Sequence, residues 1–226
     1  MATFNFRLRL IFTIKGGLDA LFKERADVFI AADLLWYPIK LTQQQVLEQE
    51  APKKQAPDVM VVLGRPKGDR GSYQQWQEDN IPPQVAFEIL SPSNQKKEMQ
   101  IKFDFYQQHG VEEYYLYDPK KNRLQGWLRK GEKLEEIATM EGWESPRLGI
   151  RFSTREGELV LFHPNGDRFV DYVEVVEQRD SPEGRLRQRA RQEKERQRQR
   201  ANEAEATIQQ LRDRLLKLGV DPNTLP

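Results

Sequence analysis

Stretches of apolar residues divide the first 178 residues into short strands and helical segments. A strand covered on both faces of a sheet needs no polar alternation, so nearly continuous apolar runs predict buried strands. Such runs occupy residues 27–32, 58–63, 84–90 and 114–117. The spacing of Met99, Ile101, Phe103 and Phe105 predicts a helix over 95–109, and Gly110 is a natural stop for it.

Weaker patterns surround these elements. Residues 18–25 have the pattern of a helix end, whereas residues 1–17 only faintly imitate a signal peptide, with an apolar run too short for one. Residues 64–83 read as a polar loop of about 20 residues, a length that is usually functional or disordered. Further short strands are predicted at 123–129, 133–138, 150–152 and 159–162. This order predicts an α/β (α+β) fold with a central mixed sheet.

The composition changes sharply near Gln178. Residues 179–217 contain 12 Lys and Arg against 7 Asp and Glu, with no aromatic residue, and Gly219 follows. This predicts a core domain at 1–178, a long charged C-terminal helix at 179–218 and a flexible end at 219–226. A two-heptad apolar seam runs through Ala204, Ile208, Leu211, Leu215 and Leu218. The seam predicts either a homodimer or partner-helix contact through 204–218, or a solvated helix that docks by its end.

The amino-acid composition excludes several classes of site. The chain has no cysteine and only two histidines, so thiolate metal sites and multi-histidine centres are ruled out. A net charge of +1 gives no global field that would steer nucleic acid, although local basic patches remain. An apolar run of about 18 residues, which a membrane span would need, is missing. We expect a cytoplasmic protein.

Two carboxylates stand where the local pattern predicts burial. Glu88 lies between Phe87 and Ile89, and Asp58 opens the apolar run 58–63. A buried carboxylate costs several kcal/mol unless it is paired or bound to a cation. If the two strands are neighbours, both side chains could share one face, roughly 5–8 Å apart. Mg²⁺ is a cation that such a pair would suit.

The helix that follows supplies a third candidate. Lys102 and Tyr106 lie four residues apart and share a stripe with Glu98. A helix folded back on the sheet could bring the Lys102 ammonium to the carboxylates, where it would stabilise charge on a phosphate. A purely structural ion pair between Lys102 and Glu88 is the alternative.

The residues also resemble a known family. The carrying segments are APDVMVV at 56–62, PQVAFEILSPS at 83–93, and the later Lys102, Tyr106 and GVEEYYLYDP at 110–119. In order and spacing these are similar to the Uma-type putative restriction endonuclease family of the PD-(D/E)xK nuclease superfamily. The resemblance covers about residues 27–165. It implies a restriction endonuclease-like core, a mixed sheet flanked by helices, which hydrolyses phosphodiesters with Mg²⁺.

Carried over residue by residue, the resemblance makes Asp58 and Glu88 the metal-binding carboxylates. The superfamily lysine usually stands two residues after the second carboxylate, where this chain has Leu90. In the Uma-type pattern the lysine lies on the helix, which matches Lys102, with Lys96 and Lys97 as fallback candidates. Superfamily members commonly carry an acidic residue on the first helix. That helix looks shortened here, and Asp19 or Glu24 could substitute.

Two functions follow from the resemblance. The first is a DNA endonuclease whose Mg²⁺, or Mn²⁺, is held by Asp58, Glu88 and the Ile89 carbonyl, with Lys102 stabilising the transition state. Substrate contacts would come from Arg65, Lys67, Arg70 and Tyr106. The second is a catalytically inactive nuclease-like scaffold whose C-terminal helix assembles partners. A third reading, in which the arginine-rich tail binds nucleic acid, competes with a solvated charged face.

Overall fold

A central sheet lies between two helices in this computed structural model, which describes residues 2–91 and 96–171 together with the isolated helical positions 193, 196, 197 and 200. The helices are α1 (Ala2–Leu21), α2 (Gln43–Leu47) and α3 (Lys96–Gln108), and a 3₁₀ turn covers Gln75–Gln77. The strands are β1 (Val28–Ala32), β2 (Trp36–Tyr37), β3 (Val59–Leu63), β4 (Tyr73–Gln74), β5 (Val85–Ile89), β6 (Glu113–Asp118), β7 (Arg123–Lys130), β8 (Lys133–Glu136), β9 (Arg151–Ser153) and β10 (Val160–Phe162). The predicted mixed α/β fold is confirmed.

The six strands of the central sheet follow the order β1-β3-β5-β6-β7-β8. Strands β5 and β6 are parallel, and every other neighbouring pair in this sheet is antiparallel. A parallel pair needs a crossover connection, and α3 provides it. Tight hairpins join β6 to β7 and β7 to β8, whereas the connections before β3, β5 and β6 are long.

Alternating side chains of β3 and β5 enter two separate cores. Val59, Val61 and Phe87 pack with the stripe Leu10, Ile14 and Leu18 of α1, together with residues of β9 and β10. Met60, Val62 and Ala86 pack on the other face with Phe105 and Tyr106 of α3. The two helices therefore cover opposite faces of the sheet, which explains why these strands are apolar throughout.

The first helix is longer than the sequence pattern predicts. Residues 1–17 are not a separate segment, because α1 runs from Ala2 to Leu21 and buries Leu10, Ile14 and Leu18. The pair Gly16-Gly17 hid this helix in the sequence, because glycine is unfavourable in the interior of a helix. A Cβ on Gly17 would lie 2.0 Å from the Phe169 ring, so glycine here reflects close packing against a distant residue.

The interval 64–83 contains regular structure as well as loop. β4 pairs in parallel with β2, and Trp36 Nε1 donates a 3.1 Å hydrogen bond to Gln75 in the 3₁₀ turn. The apolar and polar pattern of the sequence does not show that this interval pairs with a segment about 40 residues earlier. The predicted tail helix, its seam at 204–218 and the domain boundary at 178 fall largely outside the described residues, and these remain predictions. Within the described part of the chain, no helix is long and apolar enough to cross a bilayer.

Candidate active site

Asp58 and Glu88 meet at one end of the β3–β5 pair. Val59 pairs with Phe87 in the antiparallel register, so Asp58, one residue earlier, stands level with Glu88, one residue later. Both carboxylates are buried, with 1% and 3% of their surfaces exposed. The sequence-based expectation of two carboxylates on neighbouring strands therefore describes the geometry correctly.

Lys102 reaches Glu88 from α3. Its ammonium donates to both carboxylate oxygens of Glu88 at 2.8 Å, and one turn later the Tyr106 hydroxyl donates to Glu88 Oε1 at 2.5 Å. The i, i+4 spacing of these two residues places both donors on the helix face that packs on the sheet. Tyr106 is fully buried. Its contact with substrate stays a prediction.

Burial sets the electrostatics of Glu88. Removal from water is the main reason why the pKa of Glu88 is raised to about 7; the Lys102 charge and the Tyr106 hydrogen bond oppose this rise, and the Asp58 charge adds to it. The same burial, beside the Glu88 carboxylate, raises the pKa of Tyr106 well above its usual value. The buried site therefore favours the protonated form of Glu88 more than water does.

Asp58 has a different set of partners. Its Oδ2 accepts the Ile89 backbone N–H at 2.7 Å, which fixes the carboxylate against the end of β5. The Arg7 guanidinium of α1 forms an ion pair with Asp58 through Oδ1 and lies 3.3 Å from Oδ2. Arg7 Nε also donates to the Ile89 carbonyl at 3.2 Å. The pair of carboxylates is therefore matched by a pair of cations.

Arg7 is the site residue that sequence reasoning missed. It stands three and four residues before Leu10 and Ile11, so it continues the buried stripe of α1 by one turn. A cationic residue on the apolar stripe of α1 was the signal in the sequence that could have identified Arg7 as a site residue. The acidic candidates on this helix and just after it have other surroundings: Asp19 pairs with Lys15 at 2.6 Å, and Glu24, beyond the end of α1, is exposed beside Lys23.

The predicted substrate-binding cations of the 64–83 interval lie apart from the carboxylates and are engaged by protein groups. Arg65 and Arg70 both bind Glu78, and Arg70 stacks over Phe29 at 3.9 Å. Lys67 donates to the backbone carbonyls of Phe22 and Lys23. These contacts hold the interval on the domain, and a role in binding substrate stays a prediction for all three cations.

An open groove of about 420 Å³ lies near the end of β5, and Leu116, the residue that pairs with Glu88 across the sheet, is part of its lining; Asp58 and Glu88 themselves are not. Tyr114 lines it, and the Tyr114 ring lies 5.1 Å from that of Tyr106. Leu90, directly after β5, forms part of the same wall, and the rim carries Lys121 and Arg123. The groove therefore carries two cations beside the end of β5.

The oxygen atoms at this site are of the chemical type that binds a divalent cation. Two carboxylates and a main-chain carbonyl, from Asp58, Glu88 and Ile89, are hard ligands of the type that Mg²⁺ takes. They are few: within residues 2–91 and 96–171 no group of three or more Asp, Glu, His or Cys is gathered as a metal site. A cation here would need water or substrate oxygens to complete its coordination.

Comparison with known proteins identifies the family to which the chain belongs. The model of the family Uma2, described as "Putative restriction endonuclease", matches residues 23–153, which is more than half of the chain. Among solved structures, the chain is similar to a protein from Anabaena variabilis ATCC 29413 described as a putative nuclease belonging to DUF820. The similarity has a TM-score of 0.46 at 13% identity, and it covers 66% of this chain and 79% of that one. No curated protein matches the chain.

Proposed function

We propose that this chain, which belongs to the Uma2 family of putative restriction endonucleases, is a metal-dependent endonuclease that hydrolyses DNA phosphodiester bonds. The observation that carries the proposal is the contact of Lys102 with Glu88 beside Asp58. It unites two buried carboxylates with a lysine on the following helix. Leu90, at the usual place of the superfamily lysine, does not weaken the proposal, because Lys102 reaches the carboxylate from α3.

The cation is proposed to be Mg²⁺, with Mn²⁺ as a substitute, held by Asp58, Glu88 and the Ile89 carbonyl. When bound, such an ion would polarise the scissile phosphate and make water a stronger nucleophile. The residues of the chain would orient the reacting groups. The Ile89 N–H fixes Asp58, and Tyr106 fixes one oxygen of Glu88.

Lys102 would have two tasks. Its ammonium holds both oxygens of Glu88 at 2.8 Å, and its side chain keeps 12% of its surface exposed. From that position the charge is available to the phosphate as negative charge develops on it. The DNA strand is proposed to approach along the groove beside Leu90 and Tyr114, where Lys121 and Arg123 would contact its backbone.

The test is cleavage of supercoiled plasmid DNA by the full chain with Mg²⁺ or Mn²⁺, with folding checked by circular dichroism. We expect cleavage that stops with a chelator and falls by roughly 100-fold or more in Glu88→Gln and in Lys102→Met, as for loss of other preorganised polar groups. Glu113→Gln is the matched control, because Glu113 is also a buried strand glutamate but lies on the opposite face of the sheet. Chelator-resistant cleavage, or full activity in Glu88→Gln, would contradict the proposal.

A second candidate is a catalytically inactive scaffold. The observation that favours it is the ion pair of Arg7 with Asp58, which satisfies that carboxylate without a metal. On this alternative the domain serves binding, and residues 204–218 provide a homodimer or partner-helix contact. A well-folded chain that neither binds Mn²⁺ nor cuts DNA would favour the scaffold over the endonuclease.

A further inference from the structure

Arg7 occupies the place between two of the proposed metal ligands. Its guanidinium pairs with Asp58, and its Nε lies 3.3 Å from Asp58 Oδ2 and 3.2 Å from the Ile89 carbonyl oxygen. One positively charged group therefore bridges the carboxylate and the carbonyl. A divalent cation coordinated by the same two oxygens would compete for the same space and the same lone pairs.

The balance of charges also indicates that Arg7 and a divalent cation compete for the site. Asp58 and an ionised Glu88 bring two negative charges into a buried site, and Arg7 and Lys102 bring two positive ones. Adding a divalent cation to this set leaves an excess of two positive charges where water cannot screen them. Such an arrangement is strongly unfavourable, so one of the side-chain cations must leave as the metal enters.

Arg7 is the cation better placed to leave. Its side chain keeps 26% of its surface exposed, against 12% for Lys102. Lys102 holds the two oxygens of Glu88, which is one of the three proposed ligands, whereas Arg7 holds oxygens of the other two, Asp58 and the Ile89 carbonyl. A long arginine side chain can turn its charged end to water while the helix that carries it stays docked.

We propose that Arg7 is a built-in competitor of the divalent cation. In the metal-free protein it neutralises Asp58, and metal binding requires its withdrawal from Asp58 and from the Ile89 carbonyl. The inference rests on the proposed function, since it takes Asp58 to be a metal ligand. It adds that α1 lowers the apparent affinity for metal, so that a rise in metal concentration switches the site between two states.

The experiment is titration of the full chain with Mn²⁺, followed by calorimetry and by the electron paramagnetic resonance of the free ion. Arg7→Met removes the charge and keeps much of the length. We expect it to bind Mn²⁺ about 10- to 100-fold more tightly than the natural chain, because a hydrogen bond to a charged group contributes about 1.5–3 kcal/mol. Arg9→Met is the matched control on the same helix, and its surface pair with Glu158 predicts unchanged affinity.

Two further variants keep the test decisive. Adding Asp58→Asn to Arg7→Met should abolish the gain, since the gain depends on that carboxylate. If Arg7→Met does not fold, Arg7→Lys replaces it, because a compact ammonium cannot bridge the acceptors of the planar guanidinium. We expect several-fold tighter binding from Arg7→Lys.

The outcomes separate the inference from the proposed function. Mn²⁺ affinity that is equal in the natural chain and in the Arg7 variants would overturn the inference, while metal-dependent DNA cleavage by the same chain would leave the proposed function standing. A gain in Arg9→Met as large as in Arg7→Met would also overturn it. Absence of Mn²⁺ binding in every variant would overturn both.

Discussion

Two buried glutamates on neighbouring strands of the same sheet are stabilised in different ways. Glu113 of β6 accepts hydrogen bonds from the Tyr115 hydroxyl at 2.8 Å, the Ser145 hydroxyl, and the Arg147 backbone N–H at 2.6 Å. Glu88 of β5 has the Lys102 ammonium and the Tyr106 hydroxyl. The register pairs Val85 with Glu113 and Glu88 with Leu116, so the two carboxylates face opposite sides of the sheet.

The difference separates a carboxylate held by neutral donors from one held by a cation. Burial is the main cause that raises the pKa of both groups, but only Glu88 has a second carboxylate adding to that rise. Three neutral donors fill the Glu113 site and tie β6 to the turn before β9. The Glu88 site instead contains two further charges, those of Lys102 and Asp58, and perturbed charged sites of this kind are candidates for function.

The largest effect is expected from removing the cation of the Glu88 site. Lys102→Met should lower the free energy of unfolding by about 4 kcal/mol at pH 8.5, because it leaves an uncompensated buried carboxylate. At pH 5 the loss should be smaller, since Glu88 can take up a proton. Chemical denaturation at the two pH values measures both. Equal losses would show that Lys102 acts through packing and not through charge.

The pH dependence of stability comes next. Glu88 has an ordinary pKa of 4.5 and a folded-state pKa of about 7. Between these values the unfolded chain releases the proton while the folded chain keeps it, so the free energy of unfolding falls as pH rises from about 4.5 to 7 and levels off above. The fall should be on the order of 3 kcal/mol, at about 1.4 kcal/mol per pKa unit.

Denaturation curves across this range provide the measurement, with Glu88→Gln as the control that cannot titrate. The variant should lose most of the fall. A natural chain whose stability is flat from pH 4.5 to 7 would mean that Glu88 stays ionised throughout, as it would if Lys102 dominated over burial.

The smallest effect concerns the Glu113 site. Ser145→Ala removes one neutral donor of three and also the acceptor of the Leu148 N–H. It should cost about 2 kcal/mol, because a typical hydrogen bond contributes about 1 kcal/mol. Ser153→Ala, which removes a hydroxyl bound to Glu141 nearer the surface, should cost less. A loss from Ser145→Ala as large as from Lys102→Met would remove the distinction between the two glutamates.

The elements predicted best are those whose pattern is set by burial alone. Strands β3, β5 and β6 and helix α3 lie where the apolar runs and Gly110 predict them. The contact of Lys102 with Glu88 followed from spacing along α3, once β5 was known to be covered by that helix. Local periodicity carries such information because it is independent of which distant segment covers the strand.

What the sequence could not predict depends on contacts between distant residues. Arg65 and Arg70 look like free cations, but both bind Glu78, 13 and 8 residues later. Arg7 and Asp58 are separated by 51 residues, and only the docking of α1 brings them together. A charged residue in a sequence indicates that an oppositely charged partner is needed if the residue is buried. The sequence does not indicate which residue that partner is.

The packing of Gly17 against Phe169 also bears on how the protein folds during its synthesis on the ribosome. Helix α1 is synthesised first, yet the side chains that cover its apolar stripe include Phe152, Leu161 and Phe169, which are synthesised much later. Strands β1 and β3 can cover part of the stripe soon after α1 is made, but the remainder stays exposed until about 150 further residues have been synthesised. Contacts of such long sequence separation slow folding, because the chain must close a long loop before they form.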